Sequence, residues 1–236
     1  MKIDSLYVRN HRQKRIIIKV NHARRVCKKV GEIFLDRQDK KRIIEKYRKY
    51  RKSMDFKTVL ETLIKNFEKE DVRYAVIGGF ALGVLGVPRA TVDLDFLVLK
   101  DDLPKIDKIM QENGYECKYR TENVSQYISP LNIFGEVDFL HAFRKISCRM
   151  LENALEKDIF EGKLRVKILK PEDIIGLKIQ AAANDYKRAP REFLDIETLM
   201  DCYREKLDWD LIKDYFSLFE QDKRFKELRL KYDKAN

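Results

Sequence analysis

The sequence predicts an α+β fold: a central sheet with flanking helices, a basic helical arm before it and a helical bundle after it. Three observations carry this. Short apolar runs bounded by Gly, Asn and Pro alternate with helical periodicity from residue 73 to 168. From Pro171 onward the apolar spacing is helical throughout. And residues 1–53 hold 19 Lys/Arg against five Asp/Glu, a net of +14, whereas the remaining 183 residues hold 31 against 34, a net of −3. The division that follows is a basic helical arm over 1–53, a core over 54–168 and a C-terminal helical bundle over 169–236.

In the arm, Ile16, Ile17, Val20, Val26, Val30, Ile33, Phe34, Ile43, Ile44, Tyr47 and Tyr50 recur at spacings of three and four, which suggests amphipathic helices broken near Gly31 and 36–39. Phe56, Val59, Leu60, Leu63, Ile64 and Phe67 mark a clear helix over 55–69 with Asp55 as its cap. Strands are expected over 73–77, 92–99, 115–119, 124–129 and 136–140, with helices through about Leu85, over 101–113 and over 146–157. A short strand pair follows near 158–168. Four helices then cover 171–183, 190–204, 208–219 and 221–232, the first with Pro171 in its first turn and Glu172 and Asp173 at its positive end.

Composition excludes several classes. Cys27, Cys117, Cys148 and Cys202 are scattered without a CxxC pair, so neither a zinc site nor a disulfide framework is expected. His11, His22 and His141 share no catalytic spacing, and His141 reads as structural. No run approaches the length of a membrane span, and no signal-peptide core is seen, so a cytoplasmic protein is expected. The arm is built to meet a polyanion. Its Lys/Arg runs, interleaved with Tyr47 and Tyr50, suit an RNA backbone with bases stacked on the rings; docking on an acidic protein is the rival.

The chemistry concentrates in Val76-Ile77-Gly78-Gly79 and Arg89-Ala90-Thr91-Val92-Asp93-Leu94-Asp95. Residues i and i+2 of a strand share a face, so Asp93 and Asp95 lie about 6–7 Å apart along the backbone. Leu94, Phe96 and Val98 take the other face. Two carboxylates beside a core repel each other and resist desolvation, and a divalent cation, Mg²⁺ or Mn²⁺, relieves both costs. Asp138, in Glu136-Val137-Asp138-Phe139, completes a three-carboxylate cluster if its strand pairs beside 92–99; Glu136 shares its face and competes. Such a cluster suits a two-metal phosphoryl-transfer centre. Gly78-Gly79 forms a strand-to-helix turn whose amides can approach a phosphate. Arg89 either clamps phosphate or pairs with Asp93. Lys178, on an apolar helix, is either a snorkelling surface residue or a triphosphate contact. Asp195 either caps or pairs with Arg191, or belongs to the site.

The pattern GG-x(9)-R-x-T-x-D-x-D, with Val137-Asp138-Phe139 later, resembles the DNA polymerase β-type nucleotidyltransferase superfamily. Glu172 to Ala181, then Arg188, Arg191 and Asp195, resembles the helical motifs of AbiEii-like toxins of type IV toxin–antitoxin systems. The resemblance covers about residues 56–203. It implies a nucleotidyltransferase-fold mixed sheet and transfer of NMP from an NTP to an acceptor hydroxyl, with an antitoxin protein as partner; the basic arm makes RNA, such as a tRNA end, the expected acceptor. It further implies that Asp93, Asp95 and Asp138 hold Mg²⁺ or Mn²⁺, that Gly78, Gly79, Arg89, Thr91 and Lys178 bind the nucleotide, and that Lys178 and Asp195 complete the active site. Protein AMPylation, transfer to a small molecule, and a non-catalytic nucleic-acid-binding module are the alternatives. Two positions depart from the pattern: Gly78-Gly79 stands where Gly-Ser is commoner, and Arg191-Glu192 where Lys-Asp or Arg-Asp is usual.

Overall fold

The computed structural model describes residues 54–131 and 134–233, and the backbone of two strands before them. Those strands, β1 (Ser5–Arg9) and β2 (Arg15–Lys19), pair antiparallel. Ile16 and Ile17 therefore lie in a strand, and the helices expected elsewhere in residues 1–53 lie outside the described residues.

The elements that follow are α1 (Phe56–Lys69), β3 (Tyr74–Ile77), α2 (Gly78–Val84), β4 (Leu94–Leu99), α3 (Leu103–Glu112), β5 (Glu116–Arg120), β6 (Val124–Ile128), β7 (Glu136–Ala142), α4 (Lys145–Glu152), β8 (Leu155–Ile159) and β9 (Leu164–Ile168). The chain ends in α5 (Pro171–Asn184), α6 (Ala189–Tyr203), α7 (Trp209–Leu218) and α8 (Asp222–Asp233). A mixed seven-stranded sheet runs in the order β5-β6-β7-β4-β3-β9-β8. β3 is antiparallel to β4 and parallel to β9. The chain divides into two compact units, Met1–Val72 with Asp102–Val137, and Arg73–Asp101 with Asp138–Asn236.

In the first unit the Asp55 carboxylate accepts the Thr58 amide at 3.2 Å and starts α1. Val59, Leu60, Leu63, Ile64 and Phe67 then form its buried stripe, as their spacing predicts. α3 buries Ile106, Ile109 and Met110 in the same way. Asp107 accepts hydrogen bonds from both Arg120 and the Tyr127 hydroxyl, which ties α3 to β5 and β6.

In the second unit β3 is buried at every position, and Leu94, Phe96 and Val98 of β4 are wholly buried. Phe96 stacks on Phe139 of β7 at 5.6 Å. The helix expected over 146–157 stops at Glu152. There Asn153 turns its side-chain amide back to the Arg149 carbonyl at 2.9 Å, and residues 155–159 pair with β9 instead. The antiparallel ladder outweighs the helical spacing of Met150, Leu151 and Ala154.

Glu172 and Asp173, expected simply as acids at a helix start, are buried. Glu172 accepts the Asp208 amide at 3.0 Å, and Asp173 accepts the Tyr215 hydroxyl at 2.6 Å. Both fasten α7 to the start of α5. Gly176 permits that packing, since a Cβ there would lie 2.9 Å from the Tyr215 ring.

Candidate active site

The site lies within the second unit, where β3 ends, β4 begins and β7 passes beside β4. The β3–β4 register sets Ile77 opposite Asp95, so the chain leaves β3 at Gly78 directly beside that carboxylate. Gly78 has φ +66°, and a Cβ built on it would fall 1.9 Å from Asp95 Oδ2. A side chain is thus excluded twice, by conformation and by space. Gly79 is also closely placed: its Cβ would lie 2.7 Å from Thr91 Cβ and 2.8 Å from Thr91 Oγ1. The glycine pair is required by two neighbours that the site itself supplies.

β7 does lie beside β4, and Asp138 joins Asp93 and Asp95. One carboxylate oxygen from each of the three lies within 4.8 Å of the others, and all three residues are half-buried. Thr91 donates its hydroxyl to Asp93 Oδ1 at 2.7 Å and so fixes that side chain. Burial, joined by the negative charges of Asp93 and Asp138, raises the Asp95 carboxyl from its ordinary 3.8 to about 7. The fields of Lys178 and Arg188 act in the opposite direction. Oδ1 of Asp138 is buried and accepts no hydrogen bond.

These three residues fit a divalent cation. An all-oxygen donor set in one small volume, in which one carboxyl is held half-protonated near neutrality, is the arrangement that a hard cation stabilises. Glu136, the competitor, is exposed, at 3.5 Å from Gln126 Nε2, and is not in the cluster.

The helical side of the site is a charge network on α5 and α6. Lys178 Nζ donates to Asp195 Oδ2 at 2.6 Å and to Glu192 Oε2 at 2.9 Å. Its side chain is 11% exposed, so it is no snorkelling surface lysine. Asp195 is buried and pairs with Lys178 and, at 3.7 Å, with Arg89 Nε. Arg191 is exposed and is not its partner. Arg89 accordingly pairs with Asp195 instead of Asp93. Arg188 donates to Glu192 Oε1 through Nε at 3.2 Å and Nη2 at 2.8 Å. Burial alone would raise the Glu192 carboxyl, but its bonds to Lys178 and Arg188 outweigh that and hold it below the usual carboxylate range.

Glu192 is the residue that sequence reasoning missed. It stood only as a departure from a pattern. Its position three residues before Asp195, on the same helix face, was the signal that could have found it.

A turn demanding two glycines, a carboxylate cluster on adjacent strands and a cation network on the following helices together suit nucleotidyl transfer. The family described as uncharacterised nucleotidyltransferases matches residues 25–219, and the chain belongs to it. The fold is shared with solved structures. The solution structure of the antibiotic-resistance factor ANT(2'')-Ia is 12% identical, with TM-score 0.53 over 75% of this chain and 96% of that one. The crystal structure of ANT(2'')-Ia in complex with adenylyl-2''-tobramycin is 13% identical, with TM-score 0.52 over 69% of this chain and 95% of that one. No curated protein sequence matches the chain. Among the described residues no helix is long and apolar enough to cross a membrane.

Proposed function

We propose that this nucleotidyltransferase moves a nucleoside monophosphate from an NTP to a hydroxyl of RNA, with a tRNA end as acceptor. We further infer an AbiEii-like toxin of a toxin–antitoxin system, paired with an antitoxin protein. The gathering of Asp93, Asp95 and Asp138 within 4.8 Å carries the reading of the reaction. The +14 charge of residues 1–53, with Tyr47 and Tyr50 among the basic residues, supports RNA as the acceptor.

In this reading Asp93, Asp95 and Asp138 hold Mg²⁺ or Mn²⁺. When bound, the metal neutralises phosphate charge and acidifies the acceptor hydroxyl. The acceptor oxygen attacks the α-phosphorus, a new O–P bond forms, the bond to the β-phosphate bridging oxygen breaks, and pyrophosphate leaves. Asp138 lies beside the acceptor and receives its proton. Thr91 keeps Asp93 oriented. The Gly78 and Gly79 amides face the phosphates, and Lys178 and Arg89, each anchored on Asp195, supply positive charge beside them. Holding these dipoles and charges in place before the reaction is the main catalytic contribution.

A second reading is transfer to a small hydroxylated molecule, of the kind that ANT(2'')-Ia carries as adenylyl-2''-tobramycin. The two are separated by incubating the protein with Mg²⁺, each NTP labelled at the α-phosphate, and total cellular RNA, total protein or an aminoglycoside. Label in RNA supports the first reading. Label confined to the aminoglycoside supports the second, and label confined to protein means AMPylation.

A further inference from the structure

Around Glu192 and Asp195 the structure gathers three cations, Lys178, Arg89 and Arg188, for two carboxylates. Lys178 and Arg89 together already match the two acids in charge, so Arg188 is surplus to neutralising them. Arg188 is also placed differently from the other two. Its side chain is 62% exposed, whereas the Glu192 side chain that holds it is 6% exposed. Both of its hydrogen bonds, from Nε and Nη2, go to the single oxygen Oε1. That uses one edge of the guanidinium and leaves the Nη1 end for another acceptor. A planar guanidinium with an available edge is suited to phosphate oxygens. Glu192 links Arg188 to Lys178, and Lys178 shares Asp195 with Arg89, which lies two residues before the Thr91 that holds Asp93, so the network runs from Arg188 toward the carboxylate cluster.

We propose that Arg188 is a second cationic contact for the triphosphate, and that Glu192 is the positioning residue that aims it while its other oxygen holds Lys178. This rests on the reading that the triphosphate binds at Asp93, Asp95 and Asp138. Glu192 acts through its neighbours and touches no reacting atom. The Glu at this position has the reach to serve Lys178 with Oε2 at 2.9 Å and Arg188 with Oε1 at 2.8 Å. A shorter Asp has reach for only one of them.

The test is equilibrium binding of ATP, GTP, CTP and UTP with Mn²⁺ and no acceptor, followed by the tightest of the four on variants. Mn²⁺ affinity alone and the unfolding midpoint are measured in parallel. Arg188→Ala is expected to weaken triphosphate binding about tenfold, the size of one lost charge-assisted contact, with Mn²⁺ affinity unchanged or tighter. Arg188→Lys recovers part of the loss. Glu192→Gln and Glu192→Asp, of which the second keeps the charge and the fold, each weaken binding. The double variant Arg188→Ala/Glu192→Asp binds no more weakly than Arg188→Ala, because Glu192 works through Arg188. Unchanged binding in Arg188→Ala, or additive losses in the double variant, would overturn the proposal while leaving the carboxylate site intact. Wild-type protein that binds Mn²⁺ but none of the four triphosphates would overturn both.

Discussion

Gly78 sits against Asp95 so closely that a single added carbon would fall 1.9 Å from the carboxylate oxygen. This contact makes the turn after β3 part of the acidic cluster's wall. Gly78→Ala must both strain a backbone at φ +66° and displace Asp95. A loss of roughly 2–4 kcal/mol of stability is expected from strain and overpacking together. Mn²⁺ binding should fall with it, as read by titration of the folded variant below its melting temperature.

Gly79 and Thr91 form the companion contact. Thr91 Oγ1 lies 2.8 Å from where a Cβ on Gly79 would be, so its hydroxyl fills the space a serine at 79 would use. Gly79→Ser is therefore expected to destabilise the protein by about 1–3 kcal/mol. Thr91→Ala, introduced alongside, removes the Oγ1 contact but keeps the Cβ contact at 2.7 Å, so it should recover only part of that loss in urea unfolding. Equal stability of Gly79→Ser and wild type would show that the contact is looser than described.

Lys178 pairs with two buried carboxylates at 2.6 and 2.9 Å. Lys178→Ala leaves Glu192 and Asp195 short of a counter-charge in a dry environment, and removing one partner of such a group costs about 3–5 kcal/mol. The measurement is chemical denaturation near neutral pH. A change below 1 kcal/mol would return Lys178 to the class of surface lysines.

Much of this was legible in the sequence because it depended on local pattern. The stripe Val59, Leu60, Leu63, Ile64 and Phe67 and the alternation of Leu94, Phe96 and Val98 against Asp95 each specify an element and its buried face. The acidic cluster was legible up to one condition, that the strand of Asp138 lie beside β4, and the sheet order meets it. What was not legible depended on pairs distant in the chain. Nothing near Glu172 or Asp173 announces Asp208 or Tyr215, so two acids at a helix start became the fastening of α7. The environment of Lys178 likewise required Glu192 and Asp195, 14 and 17 residues on, to turn toward it. The end of α4 was missed because β8 pairs with β9, a contact that local spacing does not encode.

Asp95 gives the protein a pH signature. Its carboxyl titrates at about 7 when folded against an ordinary 3.8, so between those values the native state carries a proton that the unfolded chain has lost. Stability of the metal-free protein therefore falls as pH rises from about 4 to about 7 and levels off above, by at most about 4 kcal/mol. Asp95→Asn removes this slope and is the more stable protein above neutrality. In wild type, binding Mg²⁺ near pH 6 releases close to one proton, and affinity declines as pH falls further. Thermal unfolding in chelator across pH, and calorimetry in two buffers of different ionisation enthalpy, read the two effects. A flat profile for wild type would contradict the burial and charge assigned to Asp95.

The carboxylates of Asp93, Asp95 and Asp138 are the proposed centre of nucleotidyl transfer. The most direct measurement is incorporation of α-phosphate label from NTP into cellular RNA with Mg²⁺, comparing wild type with Asp93→Asn. That substitution keeps an oxygen for the Thr91 hydroxyl and relieves repulsion within the cluster, so the variant should be as stable as wild type or slightly more so. Labelled RNA is expected from wild type, dependent on the metal, and none above background from the folded variant. Undiminished labelling by Asp93→Asn would contradict a role for this cluster in the transfer.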